Sequence, residues 1–250
     1  MPGSQLTRTP IDQLAESLAK EMVPLGRGIT YYTTVSTAEE DLREFLHDPV
    51  SALPPSVCEA IAPIRLILVP YLVRENGSPV PGVVFEQPSD REKLRSAYIT
   101  GEGSTLFFAI RGESAPEYHQ TFFGTIAHLF GRQLGKAQQD VYNDLLIREL
   151  TENVHGEVDE ASWDLKQKLR INENGRGVSL RSKPFRVYAA QSLVDTMSLY
   201  MHGICCDIDV ESGPRYIPSR WLRKRLEALY QMFPPPDGRP VLPEHLSRRR

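Results

Sequence analysis

Strand patterns and helix patterns hardly mix along this sequence, and that separation is the strongest limit on its fold. Residues 29–35 (ITYYTTV), 64–73 (IRLILVPYLV), 97–100 and 105–111 (TLFFAIR) are apolar, β-branched or aromatic and read as strands. Of these, 64–73 carries a buried-strand signal, and 83–85 (VVF) reads as a short edge strand. Asn76-Gly77, Pro81-Gly82 and the GEGS of 101–104 are turn signals between them. Three short helices are interspersed. Thr9-Pro10 opens one that carries Leu14, Leu18 and Met22 and ends near residues 24–26. Ser36 with Glu39 starts another that runs to about His47, and 57–61 forms the third. After residue 114 the period becomes helical, over 114–135, 137–150, 158–169, 184–202 and 219–232, with polar, Gly-bearing loops at 172–183 and around Gly213-Pro214. Strands early and helices late predict an α+β fold: a small mixed sheet in the N-terminal half packed on helices, then a helical C-terminal half. GEGS lies between two strands rather than ahead of a helix, so it is not a dinucleotide fingerprint.

At 250 residues the chain suits one large domain or two small ones. We expect a single domain over 1–233, sheet-bearing from about 27 to 135 and helical from about 136 to 233, followed by a Pro-rich, basic tail over 234–250 that ends in LSRRR. A net charge of -3 gives no general pull toward nucleic acid or an anionic membrane. The three cysteines, Cys58, Cys205 and Cys206, are an odd number with two adjacent, which argues for reduced thiols. The N-terminus lacks an apolar signal segment. The most apolar run, 61–73, carries Arg65 and Pro70 and is too short to cross a bilayer. A cytoplasmic protein is expected.

The stretch 114–135 has a start, a stop and one apolar face. Ser114 and Glu117 make a capping box, and Pro116 suits a first turn. Phe122, Phe123, Ile126, Leu129, Phe130 and Leu134 recur at helical spacing, and Gly135 is the expected stop. At its centre HLFGR places His128 and Arg132 four residues apart on one face. Zinc peptidases use H-E-x-x-H here: two imidazoles hold the metal and the glutamate takes the proton from its water. Leu129 stands at the base position and accepts no proton. Arg132 stands at the second ligand position, and a guanidinium repels a cation. Read by itself, His128 is a helix histidine satisfied by a nearby carboxylate or carbonyl.

Four blocks taken together, LPPSVCEAIAPIRLILVP (53–70), AYITGEGSTLFFAI (97–110), TIAHLFGR (125–132) and AAQSLVDTMSLYMH (189–202), give a likeness. In order and spacing the chain resembles the catalytic domain of the anthrax lethal factor-like metallopeptidases, which implies a zincin-like fold. The family's third block reads like H-E-F-G-H, and its last like E-F-F-A-E-A-F with the first glutamate as third zinc ligand. The resemblance puts Gln191 at that ligand position and Asp195 at the second acidic one. Tyr188 is the nearest tyrosine ahead of Gln191, but its spacing differs from the family's, and it is assigned no role. Of the family's zinc ligands and proton acceptor only His128 remains, and one imidazole with one amide does not hold zinc. Zinc is therefore expected to be absent, with no other cofactor. Arg132 would set a fixed charge where the family has zinc, and Asp195 would pair with it or with His128. We expect a metal-free cluster of His128, Arg132, Gln191 and Asp195, costing on the order of 3–5 kcal/mol to break if buried.

Other candidates carry less. Glu152, His155, Glu157, Asp159, Glu160 and Asp164 read either as a metal site or as a solvated helix start, the latter favoured by the helix dipole. Cys205-Cys206 lacks a placed base. Arg220, Trp221, Arg223, Lys224 and Arg225 read as a solvated helix face rather than a nucleic-acid surface. Three functions stay open. One is a pseudopeptidase that serves as a binding or regulatory scaffold for a protein or small-molecule ligand in the cleft. The second is a metal-independent enzyme with His128 and Asp195 as acid and base and Arg132 as anion clamp. The third is a peptidase with a rearranged metal site. Neither nucleic acid nor membrane is an expected partner.

Overall fold

A computed structural model describes residues 8–74, 79–172, 182–206, 217–237, 239 and 241, the side chains of 170–172 excepted. The turn at Asn76-Gly77, most of the loop 172–183, Gly213-Pro214 and the LSRRR end lie outside the described residues. The fold is α+β, with sheets in the N-terminal half and helices in the C-terminal half. The chain divides into two compact units, Met1–Val50 with Cys58–Phe122, and Ser51–Val57 with Phe123–Arg250. The division falls inside a helix, ahead of residue 136, where the change in composition had suggested it.

Among the described residues, the first unit holds nine strands in two sheets. They are β1 (Thr9–Pro10), β2 (Val23–Gly26), β3 (Ile29–Thr33), β4 (Ile64–Val69), β5 (Tyr71–Val73), β6 (Gly82–Val84), β7 (Lys93–Leu94), β8 (Ser96–Gly101) and β9 (Gly103–Ala109). The larger sheet has the order β2-β3-β4-β9-β8, the smaller one β1-β6-β5-β7. Strand β4 lies between parallel partners β3 and β9, its side chains are buried on both faces except for half-buried Arg65, and IRLILV is correspondingly an almost unbroken apolar run. Successive residues of β9 face opposite sides. Phe107 joins Ile67, Val69, Leu72 and Val83 in a core with Ile11, Ala15 and Leu18. Phe108 packs 5.6 Å from Tyr118 and 5.5 Å from Phe122, ring centre to ring centre.

Local patterns misled at several joins. The run 64–73 is two strands in different sheets, split at Pro70, which has no N–H to continue a ladder. Strand β6 is an inner strand, not an edge, because Thr9-Pro10, directly ahead of the first helix as read, also pairs with it as β1. Pro10 suits that edge position for the same lack of a donor. The first helix, α1 (Ile11–Ser17), stops early, and residues 23–26 form a hairpin strand with β3. Helix α2 (Glu39–Leu42) widens into a π-helical turn (Arg43–His47) before α3 (Asp48–Ala52) and α4 (Pro55–Ile61).

The β8–β9 turn makes one close approach. Gly103 has φ +122°, and a Cβ there would sit 2.7 Å from the Pro63 carbonyl oxygen, which accepts the Ser104 N–H at 3.1 Å. Gly103→Ala is expected to cost about 1–3 kcal/mol through backbone strain. A urea midpoint that does not move would show that the turn has room to adjust.

Helix α5 (Ala115–Gly131) starts as its sequence predicts: the backbone N–H and the hydroxyl of Ser114 both donate to Glu117 Oε2, at 3.1 and 2.7 Å. It ends four residues earlier than expected. Arg132 and Gln133 close the last turn with bonds to Leu129 and Phe130 carbonyls. Gly135 is the entry to the next helix rather than a stop, and Gln138 Oε1 accepts its N–H at 3.1 Å.

The second unit is helical: the end of α5, then α6 (Lys136–Thr151), α7 (Glu160–Asn172), α8 (Lys183–Cys206) and α9 (Ser219–Met232). Arg239 donates to Ser51 Oγ at 2.6 Å and ties segment 51–57 to it. Among the described residues, no helix is long and apolar enough to cross a membrane.

Candidate functional site

Helix α8 organises the second unit because it shows a different chemistry on each face. Tyr188, Ser192 and Thr196 are four apart and make one polar, fully buried stripe. Against it lie Glu149 of α6, Glu157 of the link before α7, Lys166 of α7 and Arg225 of α9, all with 0% exposure. Arg225 is the hub. Its Nε donates to Glu149 Oε1 at 2.8 Å, Nη1 to Glu157 Oε2 at 2.7 Å and Ser192 Oγ at 2.9 Å. Nη2 donates to Glu157 Oε1 at 2.9 Å and, in a short bond, to Glu149 Oε2. All five guanidinium donors are thereby used. Lys166 Nζ donates to Gly156 O at 2.9 Å and Glu157 Oε1 at 3.0 Å. The Tyr188 hydroxyl donates to Glu157 Oε1 at 2.5 Å.

Two carboxylates and two cations balance, which is the condition for burying them at all. Burial alone would raise the Glu157 carboxyl. Arg225, Lys166 and the Tyr188 hydroxyl outweigh it and hold the group at about 2. Burial pushes the Tyr142 phenol up to about 12 and lowers Lys166. With no solvent access, this cluster is a structural lock and not a place for substrate.

Glu157 and Arg225 are corrections to the sequence reading, which put both on solvated surfaces. A signal was there: Arg225 falls between Trp221 and Leu229 at four-residue steps, inside an apolar stripe. The other basic side chains of α9 are engaged too, Arg223 with Glu227 at 3.2 Å and Lys224 over the Trp221 ring at 3.7 Å.

A second face of α8 borders an open cavity of about 470 Å³ shared with the end of α5 and the start of α6. His128 and Arg132 line it, as their spacing predicts. Arg186, Ala190 and Val194 of α8 and Lys136 and Asp140 of α6 line it with them. The wall reaches the buried cluster through Tyr142, whose hydroxyl bonds Thr196 Oγ1 at 2.7 Å and Ser192 O at 3.1 Å.

Gln191 and Asp195 are not among the residues lining this cavity. Gln191 Nε2 donates to Asp195 Oδ1 at 2.7 Å, and Asp195 Oδ2 is buried with no hydrogen-bond partner among the described residues. Burial raises the Asp195 carboxyl, partly offset by Ser162 of α7 and by Gln191. The α8 residues that line the cavity with His128 and Arg132 include Ala190 and Val194, each one residue earlier and about 100° around the helix. The four expected site residues thus form two separate pairs. Arg132 is exposed and makes no hydrogen bond or ion pair among the described residues, so the Arg132–Asp195 pair expected from sequence is not formed. Among the described residues, neither His128 nor the acidic run 152–164 belongs to a His, Cys, Asp or Glu trio close enough to share an ion. Buried His119 faces elsewhere, its Nε2 2.8 Å from the Glu44 carbonyl oxygen.

No known family, curated protein or solved structure matches the chain.

Proposed function

We propose that the chain is a zincin-like pseudopeptidase, a binding scaffold without the zinc site. The observation that carries this is the cavity at HLFGR: it is open and ligand-sized, yet among the described residues His128 belongs to no trio of possible metal ligands, and Arg132 brings a fixed positive charge. The sheet-then-helix order and the spacing of the four sequence blocks support the fold half of the reading. Purified protein is expected to carry far less than one zinc per chain and to cleave no peptide when zinc is added. One tightly held zinc per chain, lost in His128→Ala, would overturn it.

The same open cavity, with charged side chains among those that line it, also favours a second reading, metal-independent chemistry with His128 as acid or base and Arg132 as anion clamp. Asp195 drops out of that scheme, and Asp140 is the carboxylate at hand. Mass spectrometry of a bound ligand after incubation separates the two, since a scaffold returns it unchanged.

A further inference from the structure

We infer that the α5–α6–α8 cavity binds a small organic anion, a carboxylate or phosphate head on an apolar body, with Arg132 and Arg186 taking the head. The inference rests on the scaffold reading above and names its ligand class. Three fixed cations, Arg132, Lys136 and Arg186, stand around the cavity against one carboxylate, Asp140. The chain as a whole is negative, at -3, so this local excess is not a reflection of composition. None of the three cations makes a side-chain hydrogen bond or ion pair among the described residues. Other basic side chains of the chain do: Lys93 meets Asp90 at 2.7 Å and Arg95 meets Glu117 at 3.1 Å.

Guanidinium forks match carboxylate and phosphate oxygens two at a time, which a lone ammonium does not. Behind the cations, Ala189, Leu193 and Val194 provide an apolar floor for the rest of the ligand. Asp140 leaves one acceptor for a hydroxyl or ammonium on the same molecule. The cation excess rejects a metal ion, and it equally rejects the chain's own basic tail, LSRRR, as occupant.

The test is calorimetric titration of the full chain with phenyl phosphate, 4-phenylbutyrate, the uncharged 4-phenylbutanol and inorganic phosphate. At least one aryl anion is expected to bind saturably and to weaken with added salt, and the alcohol is expected not to bind. Tighter binding of phenyl phosphate assigns a phosphate head, and tighter binding of phenylbutyrate a carboxylate. Arg132→Ala and Arg186→Ala should each weaken binding about tenfold, the loss of one charge-assisted contact. Both side chains are exposed and unbonded, so the melting temperature should not change; Arg132→Gln and Arg186→Gln serve if it does. Equal binding of the alcohol, unchanged affinity in both variants, or inorganic phosphate binding as tightly as the aryl anions would overturn the inference. Failure of both anions in zinc-free protein sinks this inference alone. Zinc at His128 sinks the pseudopeptidase reading, whatever the anions do.

Discussion

Arg225→Ala is expected to lower the unfolding free energy by about 3–5 kcal/mol, the largest effect of any single substitution considered. The substitution removes five hydrogen bonds and leaves Glu149 and Glu157 buried against one remaining cation, Lys166. A domain's whole stability is about 5–15 kcal/mol, so much of it is at stake. The urea midpoint should fall accordingly, and Arg225→Lys should recover only part of the loss, since an ammonium restores the charge without the planar fork. An Arg225→Ala protein with the parent midpoint would mean that water or a side-chain rearrangement reaches the cluster. Arg132→Ala is the built-in contrast: also an arginine on a helix of this unit, but exposed and unpaired, and expected to leave stability unchanged.

Acid should reach the same cluster. The Glu157 carboxyl lies at about 2 in the folded chain against 4.5 for the free group. A depressed folded value means stability that is present above about 4.5 and is lost as pH falls toward 2. The loss amounts to about 3 kcal/mol when complete, and burial leaves little solvent screening to reduce it. Asp195 acts in the opposite sense, because burial raises its carboxyl and folding then favours its protonated form. Urea unfolding at a series of pH values from 7 to 3 should show a falling free energy, and Glu157→Gln, less stable at neutral pH, should show a flatter fall. A parent profile as flat as the variant's would place the acid sensitivity elsewhere.

What proved legible in the sequence was local. Residues 219–232 form the last helix as read, and the cores of 29–33, 64–69 and 103–109 are strands within a residue or two of expectation. Their signals lie in neighbouring side chains and in periods of two or 3.6, which the backbone itself enforces. The pairing of His128 with Arg132 on one face belongs here as well.

Partner choice was not local. That Thr9-Pro10, besides opening α1, also edges a sheet depends on residues 82–83, more than seventy positions away. Gly135 stops one helix or opens the next according to which carbonyls and side chains are near, and Gln138 decided it. For α8, a single residue of rotation separates a site containing Gln191 and Asp195 from one containing Ala190 and Val194, and only packing sets that angle.

The sequence by itself thus determined the α+β class, most element positions and the placing of His128 and Arg132 on one helix face. The tertiary structure alone decided that Glu149, Glu157, Lys166 and Arg225 are dry and mutually neutralised, and that Arg132 lines an open cavity together with Arg186 rather than with Asp195. Charge in a sequence carries no label for solvent exposure. Burial and pairing are set by surfaces that meet only when distant helices pack.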